Sequence, residues 1–458
     1  MKNASAFQLS ISEHNPRLNP VYDRLARRIV SPLTGLSRTL GFMMRGRDEP
    51  RIIVSGAQLT GVEHLLGKKG GLTYHIGGCG IYTEEALIRS VGETVERYAQ
   101  VVKPLTTDYE SMFATQESMI ASGRETVLGP FSRPYLKRQY EQDNFAYSPL
   151  EVNSPITWTP TRSLITGKTM WAPAQLLYIG YQLRHQEGEP WLSSAVTTGS
   201  AAHTLPKRAV LSALYELIHG DAAMGHWYSS RVAPRIQFGK RLSALKDILD
   251  HYLYRSQVTP TFHYLELPGF DIHVTACVMR NRQGSGRGHN LGLGVSASLE
   301  ESMYKSFLEA AAGVQLSKML RISPELVDGA VGARTTDTSQ MFDLDANVAH
   351  YARPQGAERL EKKFTMDDDL SSDDLPSYEV SDVHAEIESV IDGYARIGAE
   401  LVFVDCTTPE ARQLGFYVPR VWSPDTMSLC LPSAPPLNHP RFNAYGGAED
   451  TVEPHPYA

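Results

Sequence analysis

The stretch Gly77-Gly-Cys-Gly-Ile-Tyr-Thr-Glu-Glu-Ala-Leu-Ile-Arg-Ser-Val-Gly-Glu-Thr-Val-Glu-Arg-Tyr98 begins as a glycine-rich turn and continues as a helix. Ile88, Val91, Val95 and Tyr98 recur at helical spacing and predict one core-facing stripe. Glu93, Glu96 and Arg97 stand at i, i+3 and i+4, so they share the opposite face. Two carboxylates one turn apart suit a divalent cation, because hard cations take carboxylate oxygens. The same Glu-x-x-Glu-Arg run also fits an ordinary solvated helix face, so this helix alone does not decide the chemistry.

A second helix repeats the arrangement. Arg208 to Asp221 reads Arg-Ala-Val-Leu-Ser-Ala-Leu-Tyr-Glu-Leu-Ile-His-Gly-Asp, with Leu211, Leu214, Tyr215 and Ile218 as the core stripe. Glu216 and His219 stand on its far side at i, i+3. A third helix, Leu299 to Gln315, carries Lys305 and Glu309 at i, i+4 and follows a glycine-rich segment, Gly284 to Gly294. Each helix thus offers a carboxylate opposite its core face. The recurrence points to one shared polar site, although amphipathic helices carry acids there for solubility too.

The order of these segments resembles the YcaO family, in the group that modifies ribosomally made peptides. The match rests on the three helices and on further stretches in the same order: Val30 to Leu36, Pro155 to Tyr178, Ser194 to His203, Val404 to Pro409 and Leu414 to Val421. The resemblance implies a mixed α/β fold (α+β) whose amphipathic helices line a nucleotide pocket. It implies a lead-in over 1–25, a YcaO-like domain over 26–445 and a Pro-containing tail over 446–458. It also implies ATP and Mg2+ as cofactors, with Glu93, Glu96, Glu216 and Glu309 as metal ligands. Arg97, Arg89, Lys305 and Cys79 are the expected nucleotide-binding residues. Family members that form azolines end in a Pro-rich tail that reaches the active site. Here the end is Pro454-His-Pro-Tyr-Ala458, and the counterparts are Pro454, Pro456 and the terminal carboxylate of Ala458, a candidate for proton transfer. Proline fixes φ, so such a tail is extended before it docks.

The chain departs from the family at the pocket. Cys79 stands between Gly78 and Gly80 where the family has lysine, and Arg89 replaces a serine. His219 and Gly220 replace Glu-Arg, and Ala310 to Gly313 lacks the amide side chain found after the third-helix Glu. Imidazole is a poor ligand for magnesium. Two readings therefore stay open. One is an ATP-dependent cyclodehydratase that makes thiazoline or oxazoline rings from Cys, Ser or Thr of a precursor peptide. The other is a catalytically silent YcaO-like scaffold subunit of a peptide-modifying complex. Thioamide or amidine formation is a related alternative; the tail favours azolines.

The activity implied is backbone activation: a side chain attacks the preceding amide carbonyl, ATP phosphorylates the oxygen, and phosphate leaves. The chain opens almost directly on the YcaO-like region, so the resemblance implies a separate leader-binding, ThiF-like partner besides the peptide. A flavin-dependent dehydrogenase and a homodimer within a larger complex complete the expected partners. A tethered leader raises the effective concentration of the core peptide.

Other classes are excluded or poorly supported. Net charge of −7 over 458 residues argues against a nucleic-acid binder. No apolar run is long enough for a membrane span, and Met1 to Ser10 lacks a signal-peptide pattern, so a cytoplasmic location is expected. The cysteines Cys79, Cys277, Cys406 and Cys430 lack zinc spacing. Gly61 to Lys69 has the wrong spacing for a P-loop. His219, Asp221 and His226 read as a metal cluster only if the helix survives Gly220 and Gly225. The acidic tract Met366 to Pro376 predicts a solvated loop, followed by a helix over Val383 to Ile397 and a strand over Glu400 to Val404.

Overall fold

The computed structural model describes residues 19–61, 76–106, 108–143, 145–281, 289–322, 344–351, 357–378, 380–451 and 453–457. Helix α1 (Asn19–Ile29) precedes an antiparallel meander of β1 (Ser37–Phe42), β2 (Ile53–Leu59) and β3 (Ile76–Gly80), and β3 leads directly into helix α2 (Thr83–Val102). The glycines of the quoted stretch let α2 lie close on this sheet. A Cβ on Gly78 would sit 2.2 Å from the Ala86 carbonyl oxygen, a distance no side chain tolerates. The Ser55 hydroxyl, buried under the helix, donates to the Ala86 carbonyl at 2.9 Å. Val91 and Val95 are buried, and Ile88 and Tyr98 pack against the same core, as the periodicity requires.

A second sheet has the order β13-β12-β5-β4, with β6 on the other edge of β5. Its strands are β4 (Met112–Ala114), β5 (Ile156–Ser163), β6 (Thr169–Pro173), β12 (Val402–Asp405) and β13 (Pro419–Trp422). Helix α3 (Pro206–Trp227) packs on β13 and reaches the third sheet at β10. That sheet has the order β10-β9-β8-β7-β11, from β7 (Arg235–Gln237), β8 (Val258–Tyr264), β9 (His273–Asn281), β10 (Asn290–Ser296) and β11 (Asp369–Ser371). Helix α4 (Leu299–Ile322) covers β9 and β10, and helix α5 (Val383–Arg396) packs on α3. Leu211, Leu214, Tyr215 and Ile218 of α3 are buried in the largest core cluster. Burying a side chain such as Leu214 contributes about 2 kcal/mol. This is the mixed α+β architecture expected.

Two expectations are corrected. Helix α3 does not stop at Asp221 but runs through Gly220 and Gly225 to Trp227. A Cβ on Gly225 would stand 2.3 Å from the Tyr445 ring, so this glycine admits a neighbour rather than breaking the helix. The acidic tract is not a plain solvated loop. Asp369–Ser371 pairs in parallel with β7, Asp369 holds Arg235 through two bonds of 2.7 and 2.8 Å, and Asp373 accepts from the Lys240 and Arg241 amides. Its charge was legible in the sequence; the basic partners, more than a hundred residues away, were not.

Candidate active site

Helix α2 presents its polar face as predicted. Glu93 accepts from the Gly77 amide at 2.9 Å through Oε2 and from Arg97 Nη2 at 3.1 Å through Oε1. Glu96 Oε1 accepts from the Ser200 hydroxyl at 2.5 Å and lies 4.0 Å from Arg97 Nη1. Ser200 belongs to the loop before α3 and pairs by an isolated bridge with Arg420 of β13. On α3, His219 Nε2 lies 3.4 Å from Glu216 Oε2. On α4, Glu309 accepts from the Leu293 amide of β10.

Electrostatics couples the carboxylates of these helices. Burial pushes Glu309 up to about 8; the Leu293 amide opposes this, and Glu216 and Glu93 add like-charge repulsion. Burial likewise lifts Glu96 to about 7, with Arg97 and Ser200 opposing and Glu93 and Glu216 adding. Glu309 keeps part of its side chain open to solvent although its carboxylate behaves as a desolvated group. Carboxylates from two other helices act on it.

Cys79 and Arg89 lie within electrostatic reach of these carboxylates. Burial pushes the Cys79 thiol up to about 12, with Arg89 opposing and Glu309, Glu85 and Glu93 adding, which leaves it neutral and unreactive. Arg89 Nη2 meets Glu85 Oε1 at 3.0 Å while much of its side chain stays open. Lys305 lies one turn before Glu309, but its ammonium meets Glu301 at 2.9 Å, donates to the Val295 carbonyl at 3.2 Å and rests over the Tyr215 ring. It neutralises Glu301 rather than Glu309.

The terminal tail is docked. Pro454, His455, Pro456 and Tyr457 are buried. The Tyr351 hydroxyl donates to the Pro454 carbonyl at 2.5 Å, and His455 Nε2 lies 2.7 Å from the Cys430 carbonyl. Trp227 Nε1, at the end of α3, donates to the Glu453 carbonyl at 3.4 Å, whereas Cys430 Sγ touches Met224 about one turn earlier. Glu453 and His455 thus anchor the tail at the end of α3 and at Cys430. Ala458 lies outside the described residues.

Sequence reasoning missed three residues. Glu85 is buried and accepts from Arg89, from the Tyr304 hydroxyl at 3.0 Å and from the Ile81 amide at 3.0 Å; its place four residues before Arg89 was the available signal. Ser200 and Arg420 lay in segments singled out for the resemblance, without any pattern to mark them individually. The metal-cluster reading of His219, Asp221 and His226 fails. Asp221 is taken by Arg441 and Tyr445, and His226 is buried against Phe364.

Four carboxylates are a hard-oxygen donor set that suits magnesium, and their mutual repulsion marks an excess of negative charge. As they stand, each is held by its own neighbour, and among the described residues no three His, Cys, Asp or Glu side chains converge on one metal position. The donor chemistry fits a cation; closing a coordination shell takes side-chain rotation.

No curated protein sequence matches the chain. Solved structures do. A heterocyclase determined in complex with substrate and cofactor aligns over 89% of this chain and 53% of its own, at 18% identity and TM-score 0.69. The chain therefore spans about half the length of that heterocyclase. The Methanopyrus kandleri YcaO protein bound with AMPPCP and Mg2+ aligns over 89% and 88% of the two chains, at 16% identity and TM-score 0.58. A chain of the E. coli microcin synthetase McbBCD complex aligns over 87% and 90%, at 13% identity and TM-score 0.55. At these identities the likeness speaks for the fold. The family model described as YcaO cyclodehydratase, ATP- and Mg2+-binding, matches residues 77–427, and the chain belongs to the YcaO family.

Proposed function

We propose that the protein is an ATP-dependent cyclodehydratase that forms thiazoline or oxazoline rings from Cys, Ser or Thr of a ribosomally made precursor peptide. The observation that carries this reading is the electrostatic coupling of Glu93, Glu96, Glu216 and Glu309 across three helices, with Glu96 and Glu309 lifted to about 7 and 8. An acid cluster with too few cations of its own is what magnesium-nucleotide would complete. These four carboxylates would hold the metal. Arg97 orients Glu93, and Arg89, half open beside Cys79, would face phosphate. When bound, magnesium-ATP supplies the phosphoryl group that turns an amide oxygen into a leaving group. The docked tail would bring the Ala458 carboxylate to the same site for proton transfer.

The heterocyclase neighbour was solved with substrate, and the microcin synthetase neighbour is a multi-subunit complex, with pro-MccB17 bound in one structure. These support a peptide substrate and partner proteins for this chain, one of which would bind the leader. A second reading, the silent scaffold subunit, draws support from His219, which occupies Glu216 where the family places a further carboxylate. Magnesium-AMPPCP titrated into the wild type and Glu93→Ala separates the two. The enzyme reading expects binding that weakens roughly 10- to 100-fold in the variant, as metal sites do when a supporting group is lost. Absence of binding in the wild type, alone and with its partner, would leave the scaffold.

A further inference from the structure

The loop between β1 and β2 and the turn after the helix Ser243–Tyr252 enclose an open cavity of about 410 Å³, lined by Arg47, Asp48, Arg255, Ser256 and Gln257. Two backbone hydrogen bonds tie loop to turn: the Arg51 amide donates to the Tyr252 carbonyl and the Gln257 amide to the Asp48 carbonyl, both at 2.8 Å. The loop is also held to α4, where Gln315 Nε2 and Lys318 Nζ meet the Glu49 carboxylate at 2.8 and 3.0 Å. These contacts fix the backbone and neutralise Glu49, but they leave the arginines uncommitted. Arg45, Arg47, Arg51 and Arg255 are exposed, and among the described residues none of their side chains has a hydrogen bond or an acidic partner. In a chain of net charge −7, four free guanidiniums here reverse the local sign of the surface.

Two of the four are steadied by one ring. Arg51 and Arg255 lie 5.6 and 5.2 Å from the centroid of Tyr254, which is itself 57% exposed. Contact with a ring face orients a guanidinium while its N–H donors stay free. Arg255 stands at φ +65°, the only residue other than glycine in the left-handed region among the described residues. Such a backbone is uncommon for a residue with a Cβ, and glycine adopts it without steric cost. What arginine adds over glycine at this position is its guanidinium, and the fold uses that group only against Tyr254.

The lining selects the ligand. Arg47 and Arg255 offer paired N–H donors, which fit carboxylates. Asp48 and Gln257 add acceptors, and neither side chain has a partner among the described residues. A phosphate dianion would meet Asp48 as a like charge. A peptide brings both kinds of group, carboxylates for the arginines and backbone N–H for Asp48 and Gln257. A long polyanion such as nucleic acid would run past the pocket onto a surface of its own sign. A folded partner covers roughly 20–30 residues a side, whereas a pocket of this volume suits a few residues of linear chain. We propose that this pocket binds a short acidic peptide segment, with Arg47 and Arg255 taking its carboxylates and Asp48 and Gln257 its backbone N–H groups. The site shares no residue with the carboxylates of α2, α3 and α4, which repel such a segment, and it stands independently of the ATP-dependent reading.

The test uses the full chain and fluorescein-labelled hexaglutamate, read by anisotropy at low salt because exposed charges are screened. Magnesium-AMPPCP binding and thermal unfolding are recorded for each variant. Arg47→Glu turns attraction into repulsion and should weaken hexaglutamate about tenfold. Arg255→Gly removes a guanidinium and relaxes the backbone, so it should lose about threefold in affinity without a lower unfolding midpoint. Gln257→Leu should also cost about threefold. Lys137→Glu makes the same charge change as Arg47→Glu at a residue outside the pocket, 89% exposed, and should leave binding unchanged. No binding to wild type, wild-type binding by Arg47→Glu or Arg255→Gly, or equal weakening by Lys137→Glu would overturn the proposal. So would inorganic phosphate or an oligothymidylate that binds more tightly than hexaglutamate and depends on Arg47. Nucleotide affinity should be the same in every variant. If hexaglutamate binds as expected but nucleotide does not bind wild type, the pocket stands and the ATP-dependent reading falls.

Discussion

Helix α3 carries two acidic sites five residues apart, and they are built on opposite principles. Asp221 is saturated: Oδ1 accepts from the Met427 amide at 3.0 Å, and Oδ2 accepts from Arg441 Nε at 2.8 Å and the Tyr445 hydroxyl at 3.0 Å. Acid and guanidinium are both almost fully buried, and Asp221 in turn holds the Arg441 guanidinium well above its usual range. Glu216 faces the other way, toward Glu93, Glu96 and Glu309, where carboxylates outnumber cations and two of them are lifted toward neutral pH. A completed network locks the fold. An uncompensated one costs stability, and that excess charge is what lets it recruit a cation.

The largest effect should come from breaking the completed site. Asp221→Ala would strand the Arg441 guanidinium and cost about 3–5 kcal/mol, read as a lower midpoint in urea unfolding. A loss near zero would erase the contrast. The docked tail comes next. Removing residues 453–458 exposes what Tyr457 covers and unpairs Tyr351, at a cost of about 2–3 kcal/mol for one buried aromatic. The tail is therefore structural as well as a candidate for catalysis. A point variant such as Tyr351→Phe, which removes only the bond to Pro454, separates the two roles better. Unchanged stability on truncation would mean that the burial carries no energy.

A pH series sharpens the comparison from the other side. Glu96 and Glu309 titrate at about 7 and 8 in the folded chain, against an ordinary 4.5. The folded state holds these protons more tightly than the unfolded chain. Their contribution is therefore fully present below about pH 4.5 and is lost as pH rises to about 8. The urea midpoint without magnesium should fall across that window, and Glu96→Gln with Glu309→Gln should flatten the fall. Equal slopes in wild type and double variant would show that these carboxylates are not the source. Affinity for magnesium-nucleotide should rise with pH over the upper part of the same window, because protons must leave before the metal binds. The smallest effect belongs to Cys79. With its thiol near 12, iodoacetamide at pH 8 should leave it unlabelled in the folded chain. Cys79→Ser, which puts a hydroxyl in place of the buried thiol, should cost about 1 kcal/mol in urea unfolding.

Much of the site could be read without coordinates because the helical period is strict. Placing Val91 and Val95 inside forces Glu93 and Glu96 to the other face, and the same holds for Leu214 and Ile218 against Glu216. The reading failed where the deciding contact was distant. Gly225 looked like a helix breaker because propensity counts only the local chain, whereas Tyr445 needed the space. Lys305, which the resemblance assigns to nucleotide binding, has its ammonium held by Glu301 and the Val295 carbonyl, contacts its sequence position did not reveal. The acidic tract looked solvated because Arg235 and the amides of Lys240 and Arg241 lie far away in sequence.

Periodicity and motif order alone determined the three amphipathic helices, the polarity of their outer faces, the mixed α/β layering and the resemblance to the YcaO family. These are local properties, written in side-chain spacing that any fold containing those helices must respect. Tertiary structure decided which acids meet. It brought Glu309 of α4 within electrostatic reach of Glu216 of α3 and Glu93 of α2, saturated Asp221 and docked the tail. Those outcomes depend on packing between elements a hundred or more residues apart. There burial, rather than spacing, sets which charges are paired and which are left to bind something else.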